Sequence, residues 1–164
     1  MKQILSFSFC MIFLLSCHQK QEGFRSADIS NLPDFKMLLM DSSTIFHKKD
    51  IPDGKPIIII YFRPNCPFCQ RETKTILANI KDLKKVQIYF LAGAPFEKIK
   101  EFYTTFHLNQ YENIKVGKDY EYSFKSAFRP TNIPYTVIYN AQKQLIKLYS
   151  GEIGIDNLIT ATRG

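Results

Sequence analysis

The sequence predicts an α/β fold: one domain built on a central mixed β-sheet flanked by helices, with an inserted helix and strand. Three features carry this prediction. Ile57-Ile58-Ile59-Ile60-Tyr61-Phe62 is a continuous, mostly β-branched apolar run, the pattern of a strand buried on both faces of a parallel or mixed sheet. A helical pattern follows at once, in which Thr73, Ile76, Leu77, Ile80 and Leu83 recur at three- and four-residue steps. Val86, Ile88 and Phe90 then alternate with Gln87 and Tyr89 as a second strand, completing a β-α-β unit that ends at the turn Gly93-Ala94-Pro95. With 164 residues and 45% hydrophobic content, the chain has enough apolar material for one packed core.

Residues 1–17 are different in kind. Lys2 precedes an apolar run from Ile4 to Leu15 that only Ser6 and Ser8 interrupt, and Ser16 and Cys17 follow, which is a signal-peptide layout. The run is too short to span a bilayer, which takes about 20 apolar residues, so a cleaved leader over residues 1–16 is expected. Leu14-Leu15-Ser16-Cys17 resembles the lipobox of bacterial lipoproteins, and that resemblance implies lipidation of Cys17 and cleavage before it. An ordinary leader that happens to contain a cysteine is the alternative. From His18 to Leu32 the chain is polar and lacks apolar periodicity, so residues 17–32 read as a flexible tether and 33–164 as the folded domain.

Within that domain, Phe35 to Met40 and Thr44 to Phe46 read as short strands around a turn at Asp41-Ser42-Ser43, and Asp53-Gly54 supplies another turn. After the β-α-β unit, Phe96, Ile99, Phe102, Tyr103 and Phe106 share one helix face. Ile114 to Val116 can form a short strand, and a small helix is expected near Tyr122 to Phe128. These make the inserted segment, whose aromatic residues are expected mostly in the core. Tyr135 to Tyr139 and Leu145 to Tyr149 read as two strands joined through residues 140–143, and Asp156 as the N-cap of a terminal helix.

The formal charge of +7 comes from 22 basic and 15 acidic residues scattered along the chain, with a brief cluster at Lys81, Lys84 and Lys85. This spread reads as a solvated basic surface rather than a nucleic-acid site.

Cysteine usage narrows the chemistry. Cys10 lies inside the expected leader and Cys17 would carry lipid, so Cys66 and Cys69 remain as thiols. An exported protein must hold such a pair as a disulfide, cycle it, or place it on a metal. A thiol attacks as its thiolate, and Cys66 falls at a helix start, where unpaired N–H groups and the positive end of the macrodipole favour negative charge. Pro67 in the first turn forfeits an N–H that would be unpaired anyway. Cys69, one turn along, is the natural resolving thiol. A zinc site needs two more ligands, and His47 and His107 fall in unrelated segments, so no metal is expected. A static disulfide or a copper-holding pair in a non-catalytic lipoprotein stays open as the alternative function.

Glu72 shares a helical stripe with Ile76, Ile80 and Leu83, so its carboxylate points partly toward the core. Burial there would raise its pKa and make it a proton acceptor and donor for Cys69. A surface glutamate interacting with the helix dipole is the competing reading.

Taken together, Lys55-Pro56, the run Tyr61-Phe62-Arg63-Pro64-Asn65-Cys66-Pro67-Phe68-Cys69, and Ile133-Pro134-Tyr135-Thr136-Val137-Ile138-Tyr139-Asn140 resemble the thioredoxin superfamily. The likeness is closest to the redoxin or TlpA-like branch of membrane-tethered bacterial thiol-disulfide oxidoreductases, and it spans roughly Phe35 to the end of the chain. It implies a thioredoxin-like three-layer fold, with a cis-proline at Pro134, after Ile133, facing the cysteines. It implies catalysis by Cys66 and Cys69 with Glu72 at the branch's carboxylate position, and substrate binding by Ile133, Pro134, Pro67 and Phe68. The redox-active Cys66–Cys69 disulfide would be the sole cofactor. The implied partners are exported proteins with cysteines or disulfides and an electron-donating membrane or periplasmic redox protein, with the domain held in the cell envelope by lipid on Cys17 and no nucleic acid involved. Reduction is the direction that the branch implies.

The chain also departs from the family pattern. Ile60 stands where typical thioredoxins hold a buried Asp, so Glu72 would have to substitute. Asn65 replaces the usual Trp, and the chain has no Trp. Pro67-Phe68 is closer to glutaredoxin-like motifs. Arg63 stands where a peroxiredoxin needs threonine, which disfavours peroxidase chemistry, and at a strand end it reads as a solvated rim residue.

Overall fold

In a computed structural model the described residues are 28–163, so the expected signal peptide 1–16, the lipidation site Cys17 and most of the tether 17–32 lie outside them. The element order is β1 (Lys36–Leu39), β2 (Ile45–His47), β3 (Ile57–Tyr61), α1 (Pro67–Ala78), β4 (Gln87–Ala92), α2 (Phe96–Thr105), β5 (Ile114–Asp119), α3 (Ser123–Phe128), β6 (Tyr135–Tyr139), β7 (Leu145–Ser150) and α4 (Ile155–Arg163).

The seven strands form one mixed sheet in the order β2-β1-β5-β4-β3-β6-β7. β3 and β5 flank β4 in parallel, while β6 pairs antiparallel with β3 and with β7. Every residue of β3, β4 and β6 is buried, because helices and loops cover both sheet faces and leave no solvated side. On one face Ile58, Ile60 and Phe62 pack with Cys69 and Ile76 of α1, Ile99 and Phe102 of α2, and Leu158 of α4. On the other, Ile57, Ile59 and Tyr61 pack with Phe124 and Phe128 of α3 and with Leu32 and Phe35. Each fully buried isoleucine of β3 contributes about 1.5–3 kcal/mol of apolar burial. This three-layer arrangement is the predicted fold class.

Three sequence expectations shift. The tether ends before Leu32, which is fully buried: its N–H donates to the Lys143 carbonyl, and Asn31 bridges Gln144, so this segment adds to the sheet margin. The first helix ends at Ala78 rather than running on through Ile80 and Leu83, which pack from the turns that follow. Gln87 and Tyr89 of β4 are both buried, and the Tyr89 hydroxyl donates to Gln87 Oε1 (2.7 Å). Asp156 is the second residue of α4 and so cannot be its N-cap. Of the insertion's aromatics, Phe102, Phe124 and Phe128 are core, whereas Tyr120 and Tyr122 are exposed.

Candidate active site

The buried strand β3 ends at Tyr61, and the chain turns through residues 62–65 into α1. Cys66 is the N-cap of that helix, with extended backbone (φ −83°, ψ 119°) and Pro67 at the first helical position. Its N–H donates to the Arg63 carbonyl (3.1 Å) and its carbonyl accepts from Gln70 N (3.0 Å), which fixes the turn. The Gln70 side chain donates to the Pro64 carbonyl (2.9 Å) and closes the same loop. The thiol of Cys66 is half-buried at the free end of the helix, where unpaired N–H groups gather.

Cys69 lies one turn further in and is buried. Burial pushes its thiol pKa well up, and the nearby Glu72 carboxylate adds to the rise. The two sulfurs therefore differ: one meets solvent at a helix terminus, and the other sits in the core as a protonated thiol.

The Ile133–Pro134 peptide bond is cis. Cys66 Sγ lies 3.9 Å from the Ile133 carbonyl, a weak S–H···O contact. Pro134 is buried and its carbonyl accepts from Gly151 N (2.8 Å), which ties the proline loop to the end of β7. Ile133 is half-buried beside the cysteine, and Phe68, in the first turn of α1, is 53% exposed. The Arg71 guanidinium covers the Phe68 ring at 4.5 Å and pairs with Glu152 (2.7 Å). Cys66, Pro67, Phe68, Ile133 and Pro134 thus share one end of the sheet.

Glu72 is 2% exposed. Its Oε1 accepts from the Thr136 hydroxyl (3.0 Å) and its Oε2 from Ile153 N (3.1 Å). Burial raises its pKa to about 7, and the two hydrogen bonds hold back a larger rise. The surface alternative for this residue is therefore set aside. A carboxyl that titrates near neutrality, one helical turn beyond Cys69, can both accept and return a proton. Ile60 is buried in the core opposite Thr136, so β3 supplies no carboxylate.

Sequence reasoning missed Thr136 and the Ile153 amide. A single threonine within the apolar strand Tyr135–Tyr139, two residues beyond the proline, was the available signal for the first. The amide belongs to a loop, and no side chain announces it. Arg63 is exposed, as a rim residue would be. Among the described residues, no group of three or more His, Cys, Asp or Glu side chains could hold a metal ion.

The model of the thioredoxin-like domain family matches residues 48–163. No curated protein matches. Solved structures do: a protein from Aquifex aeolicus VF5 is 21% identical with a TM-score of 0.68, over 82% of this chain and 92% of its own. A secreted Mycobacterium tuberculosis disulfide oxidoreductase homologous to E. coli DsbE is 19% identical with a TM-score of 0.65, over 79% and 94%. StoA from Bacillus subtilis is 14% identical with a TM-score of 0.62, over 81% and 98%. These likenesses show the shared fold. With the family match spanning most of the domain, around a cysteine pair at a helix start and a cis-proline beside it, this chain belongs to the thioredoxin-like domain family.

Proposed function

We propose that the protein is a lipid-anchored, extracytoplasmic thiol-disulfide oxidoreductase that reduces disulfides of exported proteins. The observation that carries this reading is the asymmetry of the pair: an accessible Cys66 at a helix terminus against the cis-proline loop, and a buried Cys69 with Glu72 behind it.

In the proposed cycle, the Cys66 thiolate attacks one sulfur of a partner disulfide. A new S–S bond forms between Cys66 and the partner, the partner's own S–S bond breaks, and its other sulfur leaves as a thiolate. Glu72 then takes the proton of Cys69. The Cys69 thiolate attacks Cys66 Sγ, the mixed disulfide breaks, and Glu72 returns a proton to the departing thiolate. Two electrons pass to the partner and the enzyme is left with a Cys66–Cys69 disulfide as its only redox group. A separate donor protein in the membrane or periplasm restores the dithiol. Ile133 and Pro134 are suited to pair with an extended partner backbone beside Cys66, and Pro67 and Phe68 to frame it from the other side.

The location rests on the leader 1–16 and on the lipobox-like Leu14-Leu15-Ser16-Cys17. It is consistent with a similar structure described as a secreted disulfide oxidoreductase. No described helix is long and apolar enough to cross a membrane.

Mixed-disulfide trapping tests the function. Cys69→Ser should accumulate partners covalently held on Cys66, releasable by reductant, and Cys66→Ser should lose insulin-disulfide reductase activity. Retention of full activity by Cys66→Ser overturns the assignment. A reduction potential below about −300 mV without exchange makes the pair a static disulfide instead.

A further inference from the structure

The two ends of the central sheet differ in chemistry. Cys66 and Pro134 lie at the end where Tyr61 pairs with Tyr135. At the other end, Ile57 pairs with Gln87 and Tyr139. Lys55 precedes β3 there, and Lys81, Lys84 and Lys85 precede β4; all four are exposed and line one shallow depression with Arg163 from the end of α4. Among the described residues of that lining Asp82 is the single carboxylate, and it is 3.8 Å from Arg163.

The amino-terminal segment reaches the domain at this same end. Leu32 N donates to the Lys143 carbonyl (2.9 Å) and Leu145 N to the Ser30 carbonyl (2.8 Å), both at the β6–β7 turn. The Tyr139 hydroxyl donates to the Ile29 carbonyl (3.0 Å). Lys143 Nζ in turn bonds Asp53 (2.6 Å) and the Ile51 carbonyl (3.1 Å), just ahead of Lys55. From Cys17 to Asp28 the chain reaches at most about 40 Å when fully extended.

We propose that this basic end is a docking face for anionic phospholipid headgroups, and that it seats the domain with Cys66 turned away from the bilayer. The proposal rests on Cys17 carrying lipid. A short tether fixed at the basic end keeps the lysines close to the surface, so even weak attraction acts at high effective concentration. Juxtamembrane lysines are drawn to anionic leaflets over about a Debye length, 8–10 Å. The five residues of β3, at about 3.3 Å each, separate the two ends by roughly 15 Å. That distance holds Cys66 beyond the headgroups, facing the aqueous compartment.

The test uses the mature lipoprotein on vesicles of phosphatidylcholine alone or mixed with phosphatidylglycerol. Flotation reports anchoring, and a membrane-impermeant amine reagent read by mass spectrometry reports docking. The expected result is flotation with both vesicle types. Labelling of Lys55, Lys81, Lys84 and Lys85 should fall about threefold or more on the anionic vesicles, recover at high salt, and be absent as a difference in Lys81→Glu/Lys84→Glu/Lys85→Glu for the remaining Lys55. Lys98, beside Pro64 and Asn65 at the active-site end, should label equally on both. Equal labelling of the four lysines on both vesicle types, with flotation intact, overturns the docking face alone. Failure to float with phosphatidylcholine overturns the anchor; docking then stands only if salt-sensitive flotation with phosphatidylglycerol persists and the triple variant abolishes it, and falls otherwise.

Discussion

The Thr136 hydroxyl donates to Glu72 Oε1 at 3.0 Å across the interior, joining β6 to α1 directly behind the cysteine loop. Both residues are buried, Thr136 completely. The strand that follows the cis-proline therefore also holds the Glu72 carboxyl, one helical turn beyond Cys69, and β6 ties the proline loop to the interior of α1.

The first expectation concerns this carboxyl as a charge. Glu72 ionises near pH 7 in the folded chain, against 4.5 as its ordinary value. Between those values the folded state keeps a proton that the unfolded state has released, so stability falls as pH rises from about 4.5 to 7 and levels off above. The total loss is about 3 kcal/mol. Urea unfolding of the reduced protein should show this slope, and Glu72→Gln should remove it. Parallel pH curves for the two proteins would defeat the idea.

Removing the donor should move the titration. Thr136→Val takes away a hydrogen bond that favours the ionised carboxyl, so the pH dependence of mixed-disulfide resolution should shift upward by about one unit. Thr136→Ser should restore it. A uniform loss of rate at every pH would mark Thr136 as structural only.

Phe68 is more than half exposed and is stacked by the Arg71 guanidinium. Phe68→Ala should leave the urea midpoint within about 0.5 kcal/mol of the parent in stability, as for other surface sites. KM for a protein disulfide should rise severalfold, while the rate with a small aromatic disulfide stays the same. Equal effects on both substrates would remove Phe68 from the partner-binding surface.

Asp119 is a buried carboxylate outside the site. Its oxygens accept from Phe124 N (2.9 Å), Lys125 N (3.0 Å) and the Ser123 hydroxyl (3.2 Å), holding the start of α3. Asp119→Ala strands these donors and should cost about 2–4 kcal/mol in urea unfolding. Alkylation of Cys66 in the native protein should proceed at the parental rate; a large change there would tie Asp119 to the active site.

The apolar run 57–62, the helix beginning at Cys66, the β-α-β unit and the inserted aromatic helix were all legible, because burial on both faces or on one stripe imposes a composition and a period that local sequence displays. The pair Cys66 and Cys69 and the proline at 134 were legible as residue types at fixed places. Glu72 was legible only as an open choice between core and surface, since a helical stripe gives direction but not depth.

What the sequence determined by itself is the scaffold and the two sulfurs: strand, turn and helix start follow from neighbouring residues through φ/ψ restriction, hydrophobic period and capping. Tertiary structure decided the rest. Thr136 and the Ile153 amide reach Glu72 from 64 and 81 positions away, the Ile133 carbonyl reaches Cys66 from 67, and Leu32 is drawn out of the expected tether into the core. Each of these depends on which distant surfaces the sheet order brings together, and a proton affinity near neutrality exists only where that packing excludes water from the carboxyl.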